Sequence, residues 1–257
     1  MSKRIEIKNR HNKRIVVLLD KVENQKGLVF VMHGLSGEKT HSPIPTFTHA
    51  FIESNFTAIR FDVTHTYGES EGSFENANLT NYYEDLEDVI KWAETQEWYQ
   101  EPFCLVGHSL GGISTALFAE KFPQKIKALA PISTVVSGKL HIGNKSKEEL
   151  EEYNRTGWRI RPSSARPGLI KRLRWPQFQE DMLKYDLLKN VNKLTMPILM
   201  IVGEKDTSTI PQHQQILFDA LSEPKELHII KNAPHTFRDP EHLKEIKEIF
   251  LKWISKI

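Results

Sequence analysis

The sequence has very little cysteine, no long apolar run and almost no net charge. With Cys104 as its single cysteine, it excludes an intramolecular disulfide and a zinc site built from several thiolates. It contains neither the ~20 consecutive apolar residues that cross a membrane nor the apolar core of a secretory signal. Its 35 Lys and Arg against 33 Asp and Glu leave a net charge of +2, so the chain as a whole is not a polycationic nucleic-acid binder. We therefore expect a cytoplasmic protein with no nucleic-acid partner and no stable membrane insertion.

The length of 257 residues, of which 26% are charged, suits one domain that spans residues 1–257. Short apolar runs bounded by turn residues recur along it, which is typical of strands buried on both faces of a parallel sheet. These runs lie at residues 27–32, 57–61, 103–106, 126–131, 197–202 and 226–230. Apolar residues at helical spacing occur at residues 79–93, 113–122 and 243–254. The alternation predicts an α/β fold with a mostly parallel central sheet flanked by helices, preceded by a hairpin at residues 3–8 and 14–19.

One helix start carries a more detailed signal. Asn81 and Glu84, at the beginning of the 79–93 pattern, have the spacing of a capping box. We therefore expect the side chain of Asn81 to cap this helix.

Residues 136–190 interrupt the alternation, and we call them the cap segment because strands resume after them. No acidic residue lies between Tyr153 and Gln179, whereas basic residues are frequent: Arg155, Arg159, Arg161, Arg166, Lys171, Arg172 and Arg174. One interpretation is a solvated face whose arginines pair with carboxylates elsewhere. The other is that some arginines attract an anionic substrate or a lipid headgroup, while Trp158 and Trp175 pack over an acyl or aromatic group.

The strongest local motif is Gly-His-Ser-Leu-Gly at residues 107–111, between a predicted strand and a predicted helix. A serine in such a turn is held in a strained backbone conformation that exposes its hydroxyl, and the flanking glycines let strand and helix approach closely. We therefore identify Ser109 as a candidate nucleophile.

A serine nucleophile needs a histidine base, and the histidine needs a carboxylate that fixes its tautomer. Asp206 follows the run at 197–202 and His235 follows the run at 226–230. Because the carboxyl ends of parallel strands meet at one edge of a sheet, Asp206, His235 and Ser109 are expected to converge. Glu204 and Asp239 are the competing carboxylates.

Acyl transfer also needs donors for the oxyanion. The candidates are the backbone N–H groups of Leu110, directly after the serine, and of Leu35, in the loop after the first buried run. We expect His33 to brace that loop and His108 to support packing. Because the remaining histidines lack a metal-ligand spacing, we predict no metal site.

Four motifs together carry a resemblance to a known family. They are His-Gly-Leu-Ser-Gly at 33–37, Arg-Phe-Asp at 60–62, the segment 68–76 and Gly-His-Ser-Leu-Gly at 107–111. They resemble the α/β-hydrolase fold, and in particular small microbial carboxylesterases of the feruloyl or cinnamoyl esterase type. The resemblance covers nearly the whole chain outside the cap segment. It implies ester hydrolysis through an acyl-enzyme, with Ser109 as nucleophile, Asp206 as acid, His235 as base, and Leu35 and Leu110 in the oxyanion hole.

The sequence therefore predicts a carboxylic ester hydrolase that acts on small or aromatic acyl esters without a cofactor, as a monomer or homodimer. The same three residues would also serve a monoacylglycerol or lysophospholipid lipase or a small serine peptidase. A protein that uses this fold only to bind a ligand is the remaining alternative.

Overall fold

The fold is built on a central sheet whose strands alternate along the chain with helices. The computed structural model describes residues 2–163 and 166–257. The strands of the sheet are β1 (Lys3–Lys8), β2 (Arg14–Asp20), β3 (Gly27–Met32), β4 (Phe56–Phe61), β5 (Phe103–His108), β6 (Ile126–Ile132), β9 (Ile198–Gly203) and β10 (Lys225–Ile230). Two further strands, β7 (Trp158–Pro162) and β8 (Ile170–Arg174), form a separate hairpin.

The helices that alternate with these strands are α1 (Ile44–Glu53), α2 (Leu79–Ala93), α3 (Leu110–Lys121), α4 (Gly138–Gly143), α5 (Lys147–Thr156), α6 (Trp175–Met182), α7 (Pro211–Ala220) and α8 (Pro240–Ile254). No helix in the described part of the chain is both long enough and apolar enough to cross a membrane.

The sheet has the order β1-β2-β4-β3-β5-β6-β9-β10, and β1, β2 and β4 pair in antiparallel fashion while the other neighbours are parallel. Alternate side chains of each strand enter opposite cores. In β3, Phe30 packs on the side of α2 and α3, whereas Val31 packs on the side of α1 and α8. This confirms the predicted mostly parallel sheet flanked by helices.

The start of α2 differs from the expected capping box. Asn78 caps the helix, because its side chain accepts the backbone N–H of Asn81 at 2.7 Å. The side chain of Asn81 donates instead to the hydroxyl of Thr64, at 2.6 Å. The prediction was wrong because the helix begins at Leu79, which places Asn81 in its first turn.

The cap segment lies between β6 and β9 and contains α4, α5, the β7–β8 hairpin and α6. The hairpin was not predicted. Most of its residues are at least partly exposed, so its strands lack the apolar run by which the sheet strands were recognised.

Candidate active site

Ser109 occupies a tight turn between β5 and α3. Its backbone has φ of 58° and ψ of −114°, a conformation that residues other than glycine rarely adopt. Its N–H donates to the carbonyl of Ile132 at 2.9 Å. A Cβ on Gly107 would lie 2.2 Å from the carbonyl oxygen of Gly111, so the turn can close only with glycine there. The sequence therefore places Ser109 in a strained turn, where it lines the cavity although most of the residue is buried.

The three residues predicted to converge do lie together. Nε2 of His235 is 3.0 Å from the hydroxyl of Ser109, and its Nδ1 is 2.7 Å from Oδ2 of Asp206. The three follow β5, β9 and β10, whose carboxyl ends meet at one edge of the sheet. With Nδ1 protonated toward the carboxylate, Nε2 is free to accept the serine proton.

The carboxylate of Asp206 is held by its own turn. The N–H groups of Ser208 and Thr209 donate to Oδ1 at 2.8 and 2.9 Å. Burial by itself raises the pKa of Asp206, but the hydrogen bonds from His235 and from these N–H groups outweigh burial and lower it below its usual value. Asp206 is therefore ionised at neutral pH.

Thr209 is a site residue that sequence reasoning missed. Its hydroxyl lies 2.9 Å from Oδ2 of Asp206, 3.2 Å from Nδ1 of His235 and 2.9 Å from the carbonyl of Ser133. The spacing Asp-x-x-Thr, in which the aspartate side chain accepts backbone N–H groups two and three residues on, was the available signal.

The competing carboxylates have other roles. Glu204 accepts the backbone N–H of Asn232 at 2.7 Å, and Asp239 caps α8 by accepting the N–H of Glu241 at 2.9 Å.

Two histidines support the loops around this cavity. Nε2 of His108 donates to the carbonyl of His235 at 2.8 Å, and burial, helped by the nearby His235, lowers the pKa of His108 to about 3. His33 accepts the N–H of Val63 on Nε2 at 3.1 Å, so its proton is on Nδ1 and points to the carbonyl of Gly34 at 2.8 Å. His33 thus braces the loop, as predicted.

The peptide between Gly34 and Leu35 has a fixed orientation. Besides His33, the hydroxyl of Tyr82 and the N–H of Gly37 donate to the Gly34 carbonyl, at 3.0 and 2.9 Å. In a planar trans peptide the N–H points opposite to the carbonyl, so these three donors also fix the direction of the Leu35 N–H. Leu35 lines the cavity together with Leu110, the first residue of α3.

The cavity has a volume of about 230 Å³ and is bounded by the loops at the sheet edge and by the β7–β8 hairpin. Its apolar wall includes Leu35, Ile44, Phe74 and Leu173, and its cationic wall includes Arg159, Arg161, Lys171 and Arg238. Among the described residues, no group of three His, Cys, Asp or Glu side chains is placed to hold a metal ion.

The tryptophans of the cap segment do not line this cavity. Trp175 is fully buried and donates from its indole to Asn154 at 3.1 Å. Trp158 is covered by the guanidinium groups of Arg172 and Arg174, which lie 4.7 and 5.4 Å from its ring centroid. The interpretation in which both tryptophans pack over an acyl group is therefore wrong.

Part of the basic character of the cap segment is neutralised by carboxylates. Arg161 contacts Glu149, Arg166 contacts Glu38, and Arg174 lies 2.8 Å from Glu75. For these arginines the structure supports pairing with acidic residues, as the first interpretation held.

A serine in a strained turn after a parallel strand, with a histidine and an aspartate following later strands, is the arrangement of an α/β-hydrolase. A model of the prolyl oligopeptidase family matches residues 64–257, which is more than half of the chain. The chain therefore belongs to the prolyl oligopeptidase family, and it is a hydrolase of the α/β-hydrolase superfamily.

Individual relatives agree with this assignment. The chain is 24% identical over 89% of its length to an uncharacterized 31.7 kDa Escherichia coli protein in the traX-finO intergenic region, 90% of which is covered. It is 23% identical to the bovine mitochondrial palmitoyl-protein thioesterase ABHD10, over 83% of this chain and 68% of that one. Among solved structures, Est1E from Butyrivibrio proteoclasticus with bound ferulic acid superposes with a TM-score of 0.83 at 20% identity, over 98% of both chains.

Proposed function

We propose that this protein is a serine carboxylic ester hydrolase that acts through an acyl-enzyme on small or aromatic acyl esters. One observation carries the proposal: His235 is hydrogen-bonded on one side to the hydroxyl of Ser109 and on the other to the carboxylate of Asp206. In this geometry a weak hydroxyl nucleophile has a base within reach, and the base has a partner that fixes its tautomer.

The reaction proceeds in two halves. The oxygen of Ser109 attacks the ester carbonyl while Nε2 of His235 takes the serine proton, and Asp206 stabilises the imidazolium that forms. His235 then gives this proton to the departing alcohol as the tetrahedral intermediate collapses to the acyl-enzyme. In the second half His235 deprotonates a water, which attacks the acyl group and releases the acid and the free serine.

The negative oxygen of each tetrahedral intermediate requires donors that are already in place. The N–H of Leu110 is at the start of α3, where backbone N–H groups are not used within the helix. The N–H of Leu35 is oriented by the three donors that hold the Gly34 carbonyl. We assign these two N–H groups to the oxyanion hole.

The size of the cavity supports small or aromatic acyl groups. Its volume of about 230 Å³ is below the ~300–1,000 Å³ of most small-molecule sites. Ferulic acid, the ligand of the Est1E structure, is an aromatic acid of this size class.

The test is hydrolysis of p-nitrophenyl esters from acetate to palmitate, and of methyl ferulate, by the wild type and by Ser109→Ala. We expect turnover of the short-chain esters or of methyl ferulate that is lost in Ser109→Ala. Ser222→Ala, at an exposed serine outside the cavity, is the matched control and should behave as the wild type. Turnover that persists in Ser109→Ala would exclude the proposed mechanism.

A peptidase is the second candidate, because the family that matches the chain is named for an oligopeptidase. A proline-containing peptide p-nitroanilide and a palmitoyl thioester, assayed beside the esters, distinguish a peptidase and a thioesterase from an ester hydrolase. A preference for palmitate esters would favour a lipase. If Ser109 reacts neither with these substrates nor with a fluorophosphonate, the protein is a ligand-binding member of its fold.

A further inference from the structure

We infer that the substrate of this site carries an anionic group, a carboxylate or a phosphate, in addition to the ester, and that the inner face of the β7–β8 hairpin binds it. The inference rests on the proposed function, because it describes the substrate of the same cavity.

The two faces of the hairpin differ because successive strand residues point to opposite sides. Arg159 pairs with Leu173, and Arg161 with Lys171, in the antiparallel register. These four residues line the cavity. Their neighbours in sequence lie on the other face, where Arg172 and Arg174 cover Trp158. The face that is turned toward the nucleophile is therefore cationic at three of these four positions.

A hairpin that only covered an acyl pocket would turn apolar side chains inward. Here the inward charges are only partly compensated. Arg161 is paired with Glu149. Within residues 2–163 and 166–257, neither Arg159 nor Lys171 has a carboxylate oxygen within 4.0 Å of its charged nitrogens. Lys171 donates to the hydroxyl of Ser36 at 3.2 Å, and Arg159 interacts with the phenol of Tyr153.

The carboxylates of the cavity wall do not balance these charges. Glu38 is the single acidic residue among the described residues that line the cavity, and it contacts Arg166. Arg238 also lines the cavity. The wall of the cavity beside Ser109 therefore carries more positive than negative side chains. A cleft with low-dielectric walls focuses the resulting positive field.

The ionisation of the neighbouring groups reflects this field. Burial lowers the pKa of Lys171, and the nearby Arg159 and Arg238 lower it further. Burial and the charges of Arg159 and Arg161 lower the pKa of Lys145 to about 8. Holding like charges close together in a partly buried site costs electrostatic free energy. A bound anion would lower this cost.

A carboxylate or phosphate bound in the cavity would supply acceptor oxygens for the guanidinium of Arg159 and the ammonium of Lys171. Because these groups share one cavity with Ser109 and His235, the anion belongs to the substrate.

The experiment compares matched anionic and neutral esters. One pair carries the charge on the acyl side: the mono-4-nitrophenyl ester of adipate and its methyl ester. The other pair carries it on the alcohol side: carboxymethyl ferulate and methyl ferulate. We expect kcat/KM of the wild type to favour the anionic member of one pair by about tenfold or more, the effect of one charge-assisted hydrogen bond. Lys171→Met and Arg159→Met should reduce that ratio toward one.

Arg172→Met is the matched control, since it removes the same charge from the outer face of the same hairpin. Its ratio should equal that of the wild type. If Ser109-dependent hydrolysis shows no anionic preference in either pair, this inference is overturned while the proposed function stands. An equal loss of preference in Arg172→Met would also overturn it, because the charge of the hairpin as a whole would then be responsible.

A binding measurement keeps the inference testable even if no ester is hydrolysed. Inorganic phosphate and monomethyl adipate are titrated calorimetrically into the Ser109→Ala variant, with and without Lys171→Met. Tighter binding of phosphate or of the carboxylate to the protein that retains Lys171 supports the inference and tells which anion is favoured. Equal binding to both proteins, or binding to neither, contradicts it.

Discussion

The hydroxyl of Thr209 lies 2.9 Å from Oδ2 of Asp206, the same carboxylate oxygen that lies 2.7 Å from Nδ1 of His235. Two residues in the chain separate this aspartate from this threonine, and the turn places the backbone N–H groups of Ser208 and Thr209 on the other oxygen, Oδ1. Asp206 is therefore fixed in position and in ionisation before any substrate is present. The orientation of His235 depends on it.

We predict that Asp206→Asn lowers kcat for the ester substrates on the order of 10⁴-fold, the size of effect known for loss of the aspartate in a serine–histidine–aspartate triad. An amide at this position leaves the histidine in the wrong tautomer. The control is Glu204→Gln, at a carboxylate near the same strand end that accepts the N–H of Asn232. Steady-state kinetics on p-nitrophenyl acetate measures both, and equal losses would show that Asp206 is not the partner of His235.

We predict that Thr209→Val lowers kcat about tenfold, the effect of one hydrogen bond to a charged pair, with little change in KM. The hydroxyl is within reach of both Asp206 and His235, so its loss loosens the orientation of the imidazole. Thr209→Ser retains the hydroxyl and should restore most of the rate. If Thr209→Ser is as slow as Thr209→Val, the methyl group and its packing, not the hydroxyl, are responsible.

We predict that Tyr82→Phe lowers kcat by roughly three- to tenfold, less than the ~100-fold that follows removal of an oxyanion donor itself. The buried Tyr82 hydroxyl is one of the three donors on the Gly34 carbonyl, so its loss relaxes the peptide that orients the Leu35 N–H. Tyr83→Phe is the control, because that hydroxyl bonds to Glu87 on the surface of α2. Inhibition by a boronic acid that mimics the tetrahedral intermediate should weaken in parallel with kcat in Tyr82→Phe alone.

Glu120 makes the stability of the fold depend on pH. Burial raises the pKa of this carboxyl to about 7, against the partial compensation of Lys193 and Asn190. Between pH ~4.5, where an unfolded glutamate titrates, and pH 7, the folded chain holds a proton that the unfolded chain releases. The free energy of unfolding should therefore fall as pH rises through this window.

We predict that Glu120→Gln is stabilised relative to the wild type at pH 7.5 and much less so at pH 5, as measured by urea denaturation. Glu97→Gln, at an exposed glutamate, should follow the wild type at both values. A gain for Glu120→Gln that is the same at pH 5 and pH 7.5 would assign the effect to packing.

The sheet strands and the placement of Ser109, Asp206 and His235 could be predicted because their signals are local. A strand buried on both faces must be apolar throughout, and the residue after a parallel strand must lie at the same sheet edge as its counterparts. The β7–β8 hairpin could not be predicted, since its outer face is stabilised by arginines stacked on Trp158, a contact between strands that composition does not reveal.

The helix cap at Asn78 also could not be predicted, because it depends on a tertiary contact. Asn78 and Asn81 are both suitable capping residues, and the choice between them depends on the partner that Asn81 finds in Thr64. Tertiary contacts likewise decide which arginines of the cap segment pair with a carboxylate. The partners are Glu38, Glu75 and Glu149.

Ser109 is the residue that we propose to carry the acyl group, and trapping the acyl-enzyme tests this assignment. The wild type is mixed with excess p-nitrophenyl acetate, quenched in acid within the first turnover, digested and analysed by mass spectrometry. We predict one acetyl group on the peptide that contains Ser109, a matching burst of p-nitrophenol, and neither of these in Ser109→Ala. Turnover without acetylation of Ser109, or a burst of equal size in Ser109→Ala, would contradict it.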